Sequence, residues 1–273
     1  MGRVFTSYPV LQTVVAGFQG LGDVVPGASN YWGLRAYSLA TIGVNAVRLR
    51  EDGGNTEQDF VTIFGGGLDL AAIATFKGAN NLFVAKLYDQ VGVIDVEMTT
   101  AANQAPFTLN AIGSLPGMTF SLHELVNLAF TITTPASMST VVKHTASGSY
   151  DGFLGGGTST WELRVNPTGF IESMLNSAAL LSTSSGTVPL GSHSTSLCTI
   201  GGGNGAFFID GAASGTYVSA PTFSGAAFRL GCGQQFNAEQ WIGLAHEWCL
   251  WGSVLTGGNA ASLDANQRAY WGF

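Results

Sequence analysis

Charge is what this sequence has least of. Asp, Glu, Lys and Arg make up 10% of its 273 residues, against about 25% in an ordinary soluble domain. Ser, Thr, Asn, Gln and Gly stand in for them. Such a surface meets water by hydrogen bonding, or faces other subunits or sugars; the residues leave both open. The ten basic residues are scattered and the net charge is −7, so no footprint exists for a phosphate backbone and nucleic acid is excluded as a partner. Cysteine is scarce: Cys198, Cys232 and Cys249, an odd and widely spaced set. That is no disulfide framework and no zinc ribbon. Each reads as a small buried apolar residue, with a Cys232–Cys249 bridge as the alternative. No apolar run reaches the roughly 18 residues of a spanning helix, so no membrane insertion is expected. Met1-Gly2-Arg3-Val4-Phe5 does not lead into an unbroken apolar stretch, so no secretory signal is read, and synthesis in a cytoplasm is expected.

Catalytic and cofactor motifs are also missing. His123, His144, His193 and His246 stand singly, with no metal-binding spacing. His123-Glu124 and His246-Glu247 are adjacent pairs, and neighbours on a strand face opposite ways. No nucleophile elbow occurs. The glycine runs at 155–157 and 201–203 lack the Lys-Ser/Thr of a phosphate loop and read as turns. No cofactor and no metal is expected.

What is present is the punctuation of a β-protein. A chain of this length is consistent with one large sandwich or barrel. Residues 1–30 are apolar and Gly-rich without a period, either an arm that docks on a partner through Val10, Leu11, Val14, Val15 and Phe18, or the first strands of the sandwich. Residues 31–273 form the sandwich itself. Tyr31 to Leu39 reads as opening a helical turn. Asn45 to Arg50 alternates as a half-buried strand, Phe60 to Phe64 is a second, and Leu82 to Tyr88 a third. Asp69 caps a short helix over 69–77, stopped by Gly78. From residue 91 apolar runs recur between turn residues: 128–133, 139–144, 150–154, 160–165, 170–174, 196–200, 206–209, 228–231 and 245–251. This rhythm predicts a sandwich or jelly roll. Asp210-Gly211 predicts a tight hairpin. A short C-terminal helix packs Leu263, Gln267 and Tyr270 on one side.

Two stretches carry a resemblance. Gly33 to Ser38, Val47-Arg48-Leu49-Arg50, Thr56 to Asp59, the helix at 69–76 and Leu87-Tyr88-Asp89-Gln90 resemble the N-terminal half of the catalytic domain of B-type α-L-arabinofuranosidases. A similar module is found in virion proteins of tailed phages. Trp241 to Trp248, Leu255 and Leu263 to Trp271 resemble the closing strand and tail helix of laminin-G and concanavalin-like domains. Together they cover about a third of the chain. The resemblance implies an all-β fold, a concanavalin-like jelly roll of two antiparallel sheets. Fold alone does not settle function.

A retaining glycosidase needs two carboxylates about 5 Å apart. The resemblance places the nucleophile at Glu162, which its strand pattern reads equally as a solvated residue paired with Arg164. It seeks the acid after Arg229-Leu230-Gly231-Cys232-Gly233, where Gln234 and Gln235 follow, and an amide donates no proton of that kind. The adjacent cysteine pair of the family is absent. No enzyme is therefore expected.

Sugar sites pair an aromatic platform with polar side chains. The aromatic candidates are Trp161, Trp241, Trp248, Trp251 and Tyr217; Asn204, Asp210, Gln234, Gln235 and Asn237 are the polar ones. The loop of Gln234, Gln235 and Asn237 beside Trp241 is the best placed. The expectation is a non-enzymatic structural component of a phage particle, a capsid decoration or tail module. Its partners would be copies of itself and other virion proteins, with cell-surface polysaccharide as a ligand. An arabinofuranosidase-like hydrolase and a free lectin are the alternatives.

Overall fold

The computed structural model describes residues 17–146, 149–156, 161–175, 179–201, 203–218, 224–225, 227–233 and 239–273. Val10, Leu11, Val14, Val15, Gln234, Gln235 and Asn237 lie outside them.

Among the described residues, eighteen strands join into one hydrogen-bonded network that curls into a nearly closed sandwich. Every ladder in it is antiparallel, as short connections allow. At its centre Ala136–His144 pairs with His193–Gly201 on one side and Gly243–Trp251 on the other. Asn30–Gly33 pairs with the far part of Gly243–Trp251. Asp151–Gly155, Trp161–Val165, Phe170–Leu175 and Ala179–Thr187 form a meander, tied back through Phe228–Leu230 to Leu125–Asn127. Asn45–Glu51 lies between Glu57–Val61 and Leu82–Leu87. Ile132–Thr133 and Ser224–Gly225 make a separate two-stranded ladder.

The helix signals hold. Leu70–Lys77 starts where the Asp69 carboxylate accepts the Ala72 N–H at 3.0 Å and stops at Gly78, φ 51°. The C-terminal helix is longer than expected, Gly257–Trp271, because Thr256 and Asn259 cap it reciprocally. Its buried face carries Ala260, Leu263, Gln267 and Trp271; Tyr270 is half-buried beside them. At the Asp210-Gly211 hairpin both residues have positive φ, 52° and 72°, as a primed two-residue turn needs. No helix among the described residues is long and apolar enough to cross a membrane.

Other local expectations fail for local reasons. Tyr31 opens no helical turn: Asn30–Gly33 is a strand, and a single 3₁₀ turn comes later, at Leu39–Thr41. The run at 128–133 is not one strand, and Leu128 is exposed. Residues 17–30 pack onto the body: Leu21 and Val25 are buried, and the Ser29 N–H donates to Leu250 O. Phe18 meets Tyr270 of the C-terminal helix edge-on at 6.0 Å, so this member of the docking set lies against its own chain.

The Tyr88-Asp89-Gln90 block is a fold staple. Asp89 accepts from the Asn30 amide and from the N–H groups of Tyr31, Val91, Gly92 and Ile94. The Gln90 amide donates to Gly33 O and Arg35 O and accepts the Tyr37 N–H. Two side chains thus satisfy backbone groups along Asn30–Gly33 and in the loops near it.

Candidate carboxylate site

Trp161–Val165 alternates as a strand must. Trp161, Leu163 and Val165 enter the core, so Glu162 and Arg164 share the other face. On a half-solvated strand that face would be wet. Here it is covered: Glu162 has 0% exposure and Arg164 7%. This corrects the solvated reading of Glu162.

The cover comes from residues 231–233 and 239–241. The Glu239 carbonyl accepts from the N–H groups of Gly152 and Gly233, at 3.0 and 2.7 Å, and the Trp241 N–H donates to Gly231 O. Glycines permit the approach. A Cβ on Gly152 would lie 2.0 Å from Gly233 N, and one on Gly155 would lie 2.4 Å from Gly233 C. Because Gly152 stands opposite Arg164 in the ladder, this crossing sets Glu239 over Arg164. Trp241 anchors the segment from inside. Its ring has 0% exposure and packs on His144 and Phe153, while His144 is held by Asp151 at 2.6 Å. Trp241 is therefore a buried wedge and not a sugar platform, which corrects that expectation. All six tryptophans of the chain are buried, as is Tyr217.

Three carboxylates converge on the Arg164 guanidinium. Its Nη1 lies 2.5 Å from Glu239 Oε1 and 4.0 Å from Glu162 Oε1. Its Nε and Nη2 each lie 3.0 Å from Glu172 Oε2, across the ladder. Asn166 donates to the second oxygen of Glu172. Glu172 and Glu239 are each 7% exposed. Nearby, Glu124 pairs with Arg229. Outside the described residues the sequence holds one basic residue, Arg3. The cluster thus gathers more negative than positive charge in a poorly solvated place, which packing alone disfavours.

Glu162 and Glu239 flank a single point. A Cβ built on Gly233 would lie 2.5 Å from Glu162 Oε1 and 2.9 Å from Glu239 Oε2. Both side chains press so close to Gly233 that no Cβ fits there without moving one of them. The two carboxylates are thus neighbours on one side of Gly233. Cys232 is beside them but is not a nucleophile: burial, then the Glu124 charge, push its thiol up to about 12 despite Arg229. It is free, as are Cys198 and Cys249, and all three are buried. The Cys232–Cys249 bridge does not form.

Among the described residues of the site, one aromatic side chain is exposed. Tyr150, just ahead of Asp151–Gly155, lies with its ring 4.0 Å from Arg164 Cζ and is 41% exposed. Neither Tyr150 nor Glu239 is among the candidates of the sequence. The signal for Glu239 was weak: a lone acid after a Gln-rich run, in a segment with no strand period.

A family model for the concanavalin A-like lectin/glucanases superfamily matches residues 118–261, more than half of the chain and all of the carboxylate cluster. The chain belongs to that superfamily. Solved structures agree at the level of fold. A GH54 α-L-arabinofuranosidase soaked with a cyclic sulfate inhibitor superposes with a TM-score of 0.73 at 14% identity, over 89% of this chain and 62% of that one. A mutant GH54 α-L-arabinofuranosidase soaked with 4-nitrophenyl α-L-arabinofuranoside gives 0.76 at 15%, over 92% and 65%. An arabinofuranosidase complexed with arabinofuranosyl-α-1,2-xylobiose gives 0.72 at 15%, over 89% and 62%. This superfamily member spans less than two-thirds of each of those chains. By sequence, no curated protein matches it.

Proposed function

We propose that this superfamily member cleaves glycosidic bonds by the two-carboxylate, retaining route, with Glu162 and Glu239 as the pair. The observation that carries the reading is their convergence beside Gly233. The resemblance assigns Glu162 as nucleophile. Its carboxylate attacks the anomeric carbon as the bond to the leaving oxygen breaks, and Glu239 as the acid gives that oxygen its proton. Water then attacks the glycosyl ester, the same Glu239 takes a proton from it, and Glu162 is released. Arg164 holds Glu239 and Glu172 in place for both steps.

The expectation of a non-enzymatic particle component rested on the low charge, the unread signal peptide, the likeness of the Tyr-Asp-Gln module to virion proteins, and Gln234 and Gln235 standing where an acid was sought. Glu239 supplies a carboxylate further along the same segment. The Tyr-Asp-Gln module that suggested a virion setting has the polar atoms of Asp89 and Gln90 occupied by backbone, so it speaks for fold and not for particle partners. The glycan reading therefore takes precedence over the virion one.

The fold likeness to arabinofuranosidases chooses the probe. Release of nitrophenol from 4-nitrophenyl α-L-arabinofuranoside is expected for the wild type and is expected to vanish in Glu162→Gln. Glu239→Gln should still form the glycosyl ester from this activated substrate and stall at its hydrolysis, with azide restoring turnover. A wild type that releases nothing from aryl furanosides or pyranosides overturns the hydrolase. Retained binding of arabinan in that case would make the chain a lectin.

A further inference from the structure

We infer that the apolar residues Val10, Leu11, Val14 and Val15 dock on their own chain, over an apolar face beside Gly17; the inference stands apart from the hydrolase reading. Two loops build the face, and Thr62 ties them together. Its N–H donates to Val44 O, its carbonyl accepts the Gly43 N–H, and its hydroxyl donates to Thr41 O. On these loops Leu39, Val44, Ile63 and Phe64 are all exposed, Phe64 at 63%. Residues 38–44 and 61–68 carry no charged side chain. Phe64 is held outward by a fixed turn. The Ile63 N–H donates to Gly67 O, the Gly66 N–H to Ile63 O and the Ala36 N–H to Gly66 O, with Gly65 and Gly66 at φ 93° and 81°. Single exposed apolar residues are ordinary, but a contiguous, uncharged group of them marks a contact surface.

The occupant follows from where the described chain begins. Phe18 sits on Gly66, where a Cβ would lie 2.0 Å from its ring, and on its other side it meets Tyr270. Around it opens a cavity of about 750 Å³, walled by Gly17, Val24, Gly65, Asn266 and Tyr270. Residues 1–16, outside the described residues, thus join the body at the wall of this cavity. Arg3 is their one charged side chain. Even fully extended, the chain places Val10 within about 25 Å of Gly17. The four residues therefore reach the cavity and the Phe64 face without leaving the molecule. Docking on the same chain closes a short loop, whereas docking on a second copy costs the translational and rotational freedom of a whole protein. Phe18 has already taken its seat on its own chain.

The test is hydrogen exchange of the Val10–Val15 amides in the full chain, read across a concentration range with the mass followed by light scattering. In the wild type these amides should exchange roughly tenfold or more slowly than in a free peptide of residues 1–16, at every concentration. Phe64→Asp should remove the protection. So should Leu11→Asp with Val14→Asp, which leaves the body untouched. Val93→Asp, at another exposed apolar residue, should leave it unchanged. A wild type without protection overturns the docking. Protection that rises with concentration and mass moves these residues to a second copy and overturns the assignment to their own chain. Protection that survives both Phe64→Asp and Ile63→Asp overturns the choice of face.

Discussion

Arg35 and Glu247 meet in the interior, Nε to Oε2 at 2.6 Å, and neither side chain has any exposure. Strand, loop and helix join there. Glu247 also accepts from the Tyr31 hydroxyl and the Gln267 amide, and Arg35 donates to Asn266 and lies over the Tyr270 ring. The C-terminal helix is thus held to the sheet by a polar knot as well as by Leu263 and Trp271. Burial alone would raise the Glu247 carboxyl, but the Arg35 charge and the bonds from Arg35, Tyr31 and Gln267 hold it below its ordinary value.

A buried pair of this kind is costly to halve. Arg35→Met is expected to lower the unfolding free energy by about 3–5 kcal/mol, because Glu247 then stands buried without its cation. Replacing both, Arg35→Met with Glu247→Leu, should recover part of that loss. Urea unfolding with unchanged slope checks both. A single variant within about 1 kcal/mol of the wild type would show that the knot contributes little.

Glu51, the last residue of Asn45–Glu51, carries a pH-dependent contribution. Its carboxylate accepts from the N–H groups of Thr56, Gly54 and Gly53, the Thr56 hydroxyl and the Asn80 amide. Led by the Thr56 and Gly54 N–H bonds, these take it from an ordinary 4.5 to about 2. A depressed acid stabilises fully above its unfolded value and loses that contribution as pH falls toward its folded one. The wild-type melting temperature should drop between pH 4.5 and 2. Glu51→Gln should start lower and drop less. Parallel curves for the two proteins would refute this.

Much of the fold was legible because its signals are local. Asp69 and Gly78 bracket a helix, Asp210-Gly211 turns a hairpin, and most apolar runs are strands. Ala105–Ile112, Leu115–Phe120 and Ala179–Thr187 were not read. The first is bulged between Thr108 and Ile112 and its burial does not alternate, and the third is mostly Ser and Thr. The site was half legible. Period-two alternation put Glu162 and Arg164 on the outer face, which is correct, and therefore in water, which is not. Their cover comes from a segment some seventy residues later, admitted by Gly152, Gly155 and Gly233. No local period records a crossing of that kind.

His246 gives a second pH dependence, at milder acidity. Its Nδ1 pairs with Pro116 O, and its ring packs at a tilt against Trp271 and faces His193. Burial, with His193 adding, lowers it from 6.5 to about 4, against the Pro116 carbonyl and Glu247. His193 is likewise lowered to about 4, by burial and Lys143. Unfolding lets these rings take protons between those values, so the stability they add is complete above pH 6.5 and is lost as pH falls to 4. For fully buried His246 the loss is about 3 kcal/mol. His246→Phe keeps the packing against Trp271 and should flatten the stability curve between pH 6.5 and 4. An unchanged slope would contradict the assignment.

Two glycines separate folding from chemistry at the carboxylate site. Both lie where the covering segment crosses the meander, but a methyl group would meet different atoms at each. At Gly152 it would strike Gly233 N at 2.0 Å and Glu239 O at 2.6 Å, both backbone. Neither can turn aside, so Gly152→Ala must lift the segment, at a cost of about 3 kcal/mol or more. At Gly233 the closest atom is Glu162 Oε1 at 2.5 Å, the end of a side chain, followed by Glu239 Cβ and Oε2 at 2.9 Å. Gly233→Ala should therefore cost about 1–2 kcal/mol while pushing the two carboxylates apart, which under the proposed mechanism stops the reaction. The expected pattern is a destabilised Gly152→Ala and a folded Gly233→Ala that releases no nitrophenol. Thermal melts and the aryl arabinofuranoside assay read the two effects separately. A Gly233→Ala variant that melts and turns over like the wild type would mean that the space between Glu162 and Glu239 is not where the sugar reacts.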